Sequence, residues 1–138
     1  MALALAVALT VPASDDLAPR IVVDKATAAF QDCVARRESR YDHTAVSRTG
    51  KYRGKYQFSD ALKRGAVWHL LPWLREWHPD AKAYAAQLRR TPMNQWPEVM
   101  QDAAFILTLH HDGVRWVEWR HWYLADSPCN DLVPVGAR

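Results

Sequence analysis

Between Glu38 and Tyr41 the apolar pattern of this chain changes its period, and that change constrains the fold more than any other feature. Before it, Ala26, Phe30 and Val34 recur every fourth residue, with Cys33 beside them on the same face. The spacing predicts an amphipathic helix with Cys33 in its buried stripe. Asp24 can cap that helix at Lys25. Glu38 ends it, ahead of a Ser39-Arg40-Tyr41-Asp42 break. After the break, Thr44, Val46, Tyr52, Tyr56 and Phe58 alternate with polar residues around Gly50 and Gly54. Residues 41–58 therefore read as a loop and a short, twisted β-ribbon. A carboxyl group falls at the junction of helix and ribbon.

The rest of the chain reads as helical. Ser59 or Asp60 caps a short helix, and Pro72 interrupts residues 67–77, which predicts two pieces there. Asp80 opens a helix running to about Leu88, and Pro92 and Pro97 punctuate the next connection. Residues 98–110 form the best helical pattern, with Val99, Ala103, Ile106 and His110 on one face and Gly113 as the stop. Trp116, Trp119 and Trp122, spaced by three, suit one helix face and read as core closing over the first helix. The expected architecture is a mainly α (α+β) domain over residues 25–130, preceded by a linker at 14–24 and followed by a tail at 131–138.

Composition bounds the partners. A chain of 138 residues is one domain's worth, and 49% hydrophobic residues suffice for a packed core. Seven Trp supply either core volume or flat apolar platforms for sugar rings. A net charge of +3 favours anionic polymers, whether nucleic acid, acidic membrane or bacterial wall, without choosing among them. Residues 1–13 are apolar but too short to span a bilayer, and Val11-Pro12-Ala13 offers the small residues of a signal-peptidase site. The basic start of a signal is missing, so this segment is expected to be a signal peptide or its remnant; the alternative is an apolar tail. Charges interrupt every later apolar run, so no membrane insertion is expected. In an oxidising compartment Cys33 and Cys129 can form a disulfide closing nearly the whole domain, worth about 4–5 kcal/mol in the chain-entropy account. Otherwise they are two buried thiols.

Glu38-Ser39, followed by Ala45-Val46-Ser47, Gly50, Gly54 and Gln57-Phe58, resembles the active-site segment of lysozyme-like muramidases and lytic transglycosylases. In those families a Glu-Ser at a helix end precedes a loop with Ala-Val and Gly, then Gly-x-x-Gln. The stretch from Gly50 to Ser59, GKYRGKYQFS, is similar to the resuscitation-promoting factors and related actinobacterial and phage domains. The specific part of the resemblance covers residues 33–59. It implies a lysozyme-like fold with the β-ribbon beside the active-site cleft, and Glu38 as catalytic acid. It implies that Gln57 contacts the sugar or orients the loop, and that Tyr52 lies against the substrate, with Tyr56 and Gly54 completing the binding segment. Gly54 has the further reading of simply permitting the turn. The resemblance also implies pairing of Cys33 with Cys129, secretion to the cell wall, and peptidoglycan glycan strands as the partner of a monomer.

The chemistry agrees with that resemblance. Glycosidic cleavage needs a carboxylic acid that is still protonated near neutral pH, and an apolar wall favours the protonated form. Tyr41, Tyr52, Tyr56 and Phe58 are expected to supply the wall, with Arg37 and Arg40 facing solvent or substrate. Asp42 and Asp60 are the candidates for a second carboxylate. Without one, the 6-hydroxyl of muramic acid attacks its own anomeric carbon and leaves a 1,6-anhydro end; attack by water makes a hydrolase instead. No cofactor is expected, because the leaving oxygen needs only a proton. No metal is expected either: His110 and His111 are adjacent and point to different helix sides, and no His-Glu-x-x-His or Cys-x-x-Cys occurs. Arg36-Arg37 and Arg89-Arg90 are too short to indicate nucleic acid. The competing functions are a non-catalytic wall-binding module of the same fold and a peptidase using Cys33 with a histidine.

Overall fold

The structure of the protein, a computed structural model, describes residues 18–110 and 118–134. The expected signal segment, His111, Asp112, Gly113, Trp116 and the ring of Trp119 lie outside the described residues. The order of elements is α1 (Lys25–Ser39), β1 (Tyr52–Arg53), β2 (Phe58–Ser59), α2 (Asp60–Trp77), α3 (Ala81–Arg90) and α4 (Glu98–Leu109). Short 3-10 turns occupy Met93–Gln95, Glu118–Trp122 and Pro128–Leu132. The protein is thus mainly helical with one small antiparallel hairpin, β1 pairing Tyr52 with Ser59 and Arg53 with Phe58. Among the described residues no helix is long and apolar enough to cross a membrane.

Helix α1 begins where Asp24 accepts from the Thr27 amide at 2.7 Å. Its buried stripe starts at Thr27 and continues through Phe30, Cys33, Val34 and Ala35; Ala26 is exposed, one position off the expected stripe. The Thr27 hydroxyl can be buried because it meets His110 Nε2 at 2.9 Å. At the other end, Arg40 (φ 54°) and Tyr41 (φ 66°) turn left-handed, and their amides close back on the Arg36 and Ala35 carbonyls.

Helix α2 is one continuous element through Pro72 rather than two pieces. Pro72 deprives only the Trp68 carbonyl of its helical partner, and both residues are exposed, where water can serve instead. The buried side, Ala66, Val67, Leu70 and Leu74, therefore runs uninterrupted against α3 and α4. Asp80 caps α3, which extends past Leu88 to Arg90.

Helix α4 is the centre of the molecule. It is buried on most of its circumference, from Met100 through Leu109, rather than along one stripe, and His110 lies exposed beyond its end. Phe105 packs against Phe30, Tyr56 and Trp122, with ring centroids 5.9, 4.4 and 4.4 Å away. Trp122 thus belongs to the core, as its place in the Trp series suggests, but on a 3-10 turn. Cys33 and Cys129 form a disulfide with Cα atoms 5.6 Å apart, fastening α1 to the Pro128–Leu132 turn.

Candidate active site

The junction of α1 with the hairpin is built from three tethers. Ser39 Oγ donates to the Lys55 carbonyl at 2.7 Å, attaching the end of α1 to the turn between β1 and β2. Arg37 Nη2 donates to the Trp122 carbonyl at 2.6 Å, and its Nη1 to Ser127 Oγ at 3.0 Å. The Trp122 indole N–H in turn donates to the Tyr56 carbonyl at 2.9 Å. Arg37, Trp122 and the turn at 54–57 are thereby one connected unit, and Glu38 stands beside it.

Glu38 retains 26% of its side-chain exposure. Its Oε1 accepts from Arg37 Nε and Nη2 at 2.9 and 2.5 Å. The expectation that Arg37 faces solvent or substrate is therefore corrected: its guanidinium folds back on its neighbour, because Trp122 and Ser127 hold its remaining donors. Glu38 Oε2 has no hydrogen-bond partner among the described residues.

The turn facing this unit owes its shape to Gly54 and Gln57, both at positive φ (84° and 52°). A Cβ on Gly54 would come within 2.5 Å of Gln101 Oε1 and 2.9 Å of Met93 Cγ, so only glycine fits there. Gly54 is buried and its role is in the turn. Gln57 Nε2 donates to the Gly54 carbonyl at 3.0 Å, so its amide braces the same turn. Tyr52 is 41% exposed on β1, available to a ligand.

Tyr56 and Phe58 are each 1% exposed and belong to the core, which removes both from the expected wall and Tyr56 from the expected binding set. Tyr56 donates its hydroxyl to Asp102 and accepts from Gln31 at 2.8 Å; burial, then Asp102, pushes that hydroxyl far above the ordinary tyrosine range. Lys55 joins the cluster through Glu98 and Asp102 at 2.9 and 3.0 Å. Tyr41 is turned outward, its hydroxyl on Asp32 at 2.9 Å.

The two candidate second carboxylates are occupied locally. Asp42 Oδ1 accepts from the Thr44 hydroxyl at 2.7 Å and its amide at 2.9 Å, and these bonds hold Asp42 below the usual carboxylate range. It is a turn residue. Asp60 opens α2 and pairs with Lys63 and Arg64, with Lys63 holding its carboxyl low.

Sequence reasoning missed Gln101, the polar centre of this region. It is 0% exposed. Its Oε1 accepts from the Lys55 amide at 2.7 Å, and its Nε2 faces the carbonyls of His43, Met93 and Trp96 at 2.9, 2.9 and 3.1 Å. The only signal was a glutamine inside the most apolar helix of the chain. Two grooves lie on the described surface, and only the second includes hairpin residues. One, of about 660 Å³, is lined by Gln31, Trp73, Glu98 and Asp102 among others. The second, of about 610 Å³, runs along the ribbon itself. Glu38 lines neither.

Comparison of the chain with protein-family models, with curated proteins and with solved structures returns no match.

Proposed function

We propose that the protein cleaves the glycan strands of peptidoglycan, with Glu38 as the group that gives and then takes the proton, in a lysozyme-like fold. The observation that carries this reading is the position of Glu38: at the last turn of α1, tethered through Ser39 and the Arg37–Trp122 unit to the 54–57 turn. The resemblance of residues 33–59 to lysozyme-like domains supports it, and the Cys33–Cys129 bond is the pairing that this resemblance implies. A disulfide of this kind suits a secreted protein.

In this mechanism Oε2 carries the proton to the glycosidic oxygen. The carboxylate left behind is held at Oε1 by Arg37, a contact that the resting protein already makes. That carboxylate then takes a proton from the attacking hydroxyl, either the 6-hydroxyl of the muramic acid or water. With Asp42 and Asp60 engaged elsewhere, a single Glu serves both halves, which favours the anhydro-forming route. Tyr52 and the turn braced by Gln57 orient the glycan.

The second reading is a non-catalytic wall-binding module. It is favoured by the existing Arg37 pairing and by the absence of Glu38 from both grooves. Glu38→Gln separates the two. The enzyme loses about 10²–10⁴-fold in muropeptide release, read by mass spectrometry, and keeps its binding to sacculi. Release unchanged by the substitution rejects the catalytic role of Glu38. A parent protein that binds sacculi and releases nothing is the module. Anhydro and reducing ends, which differ by one water, distinguish transglycosylase from hydrolase.

A further inference from the structure

The groove along the ribbon has a charge composition that the proposed chemistry at Glu38 does not use. One wall comes from the hairpin and the first turn of α2; the other comes from the end of α3 and the Pro92–Met93 step. Lys51, Arg53, Lys63 and Arg90 line it against one carboxylate, Asp60. Four cations less one carboxylate leave a surplus of three in this groove.

The cations there are unevenly engaged. Lys63 is 5% exposed, a burial an ammonium tolerates only with partners. It contacts the Asp60 carboxylate at 3.1 Å and the Thr91 carbonyl at 3.2 Å. An ammonium has three donors, so one remains. Arg53 uses Nη1 on Asn94 at 3.2 Å and keeps most of its five donors. Arg90 is exposed, and among the described residues it has no ion pair. Asp60 offsets one of these charges through Lys63, and Arg64, which is not in the groove lining, pairs with its other oxygen. The N-terminus of the 18-residue α2 opens into the same groove at Ser59, Asp60 and Ala61 and adds its positive end.

We infer that this groove is a second binding site, separate from Glu38, which grips the oxyanions of a wall polymer, phosphodiester or carboxylate. The volume of about 610 Å³ admits a polymer segment rather than a lone ion. Guanidinium forks and a fixed ammonium match either oxyanion. A glycopolymer is favoured over nucleic acid by the disulfide, which belongs to oxidising compartments outside the cytosol. The identity of the polymer rests on the peptidoglycan reading above; the binding does not depend on catalysis.

The test uses the full chain carrying Glu38→Gln, so that nothing is cleaved. Calorimetric titration with poly(glycerol phosphate), polygalacturonate and a single-stranded oligonucleotide is run at low and physiological salt. Binding of either glycopolymer-type anion is expected, weakening as salt rises. Lys51→Glu with Arg90→Glu, both on exposed side chains, is expected to raise Kd about tenfold or more with an unchanged melting temperature. Arg90→Ala alone gives a smaller loss in the same direction. The tighter of the two anions names the source. Absence of binding by the parent, or equal Kd for parent and charge-reversed protein, overturns the site. Tighter binding of the oligonucleotide than of both other polymers overturns the assigned partner. Muropeptide release by the wild-type protein is measured separately, and its failure sinks the enzymatic reading while leaving these titrations intact.

Discussion

Phe105 and Gln101 stand one helical turn apart on α4, both with no exposed surface, and they hold two different kinds of structure. Phe105 gathers rings from α1, the hairpin and the Glu118–Trp122 turn, and behind it α2, α3 and α4 share one apolar core. Gln101 instead binds backbone groups of His43, Lys55, Met93 and Trp96, fixing the paths of segments whose side chains Tyr56, Phe58, Met93 and Trp96 enter the core. The helical part is fixed by area, which is tolerant of detail. The ribbon part shares that core through Tyr56 and Phe58, but its turns are set by a few directional bonds, a buried glycine and one glutamine. The candidate active site lies on the second kind of structure, where a single substitution can displace a turn without unfolding the domain.

Phe105→Ala should have the largest effect, about 3–5 kcal/mol, as a cavity at the shared core. Urea unfolding should show it, with amide exchange faster throughout α1 and α4. Reduction of the Cys33–Cys129 bond, which spans 96 residues, should come next, about 2–4 kcal/mol in the same assay, the usual range for a disulfide and below the chain-entropy figure. Gln101→Leu sharpens the contrast most. It leaves the Lys55 amide and buried carbonyls without partners, a loss of about 2–3 kcal/mol. Exchange should accelerate at residues 43–59 and 93–96 while the amides of α2 and α3 stay protected. Uniform acceleration across the molecule would erase the distinction between the two parts.

The pH dependence is smaller and works on both. Burial pushes the Tyr84 hydroxyl up to about 12. A raised folded value means its stabilising contribution is complete below the unfolded value near 10 and is lost as pH climbs from there towards 12. At the acid end, Asp24, Asp42 and Asp60 are all held low, by Thr27, Thr44 and Lys63. Their contribution is complete above about pH 4 and fades as pH falls through the lowered values. Urea midpoints measured across pH should decline at both ends, least at the acid end because these groups are exposed.

Local signals were legible in the sequence where they act locally. Asp24 and Asp80 cap the helices they precede, and the period-four pattern marks α1. Gly54 marks a turn. Contacts made by distant residues were not legible. Thr27 rather than Ala26 can be buried because its hydroxyl shares a hydrogen bond with a histidine 83 positions away. Alternation puts Tyr52, Tyr56 and Phe58 on one face, yet the positive-φ residues Gly54 and Gln57 break the parity of the strand. Tyr52 therefore remains outside while the other two turn into the core. Glu38 could be singled out from its neighbours in sequence, but its contact with Arg37 depends on Trp122 and Ser127, some 85–90 positions further along. Pro72 misled because its effect on a helix depends on which side faces water.

Trp122 grips Arg37 with its backbone oxygen and the ribbon turn with its ring nitrogen. Mutation can delete only the second of these, since every amino acid carries a carbonyl. The mooring of the helix end is thus shielded from sequence drift at that position, while the mooring of the turn is not. A lineage that traded this indole for another ring would loosen the ribbon turn first and keep the acidic corner where it was.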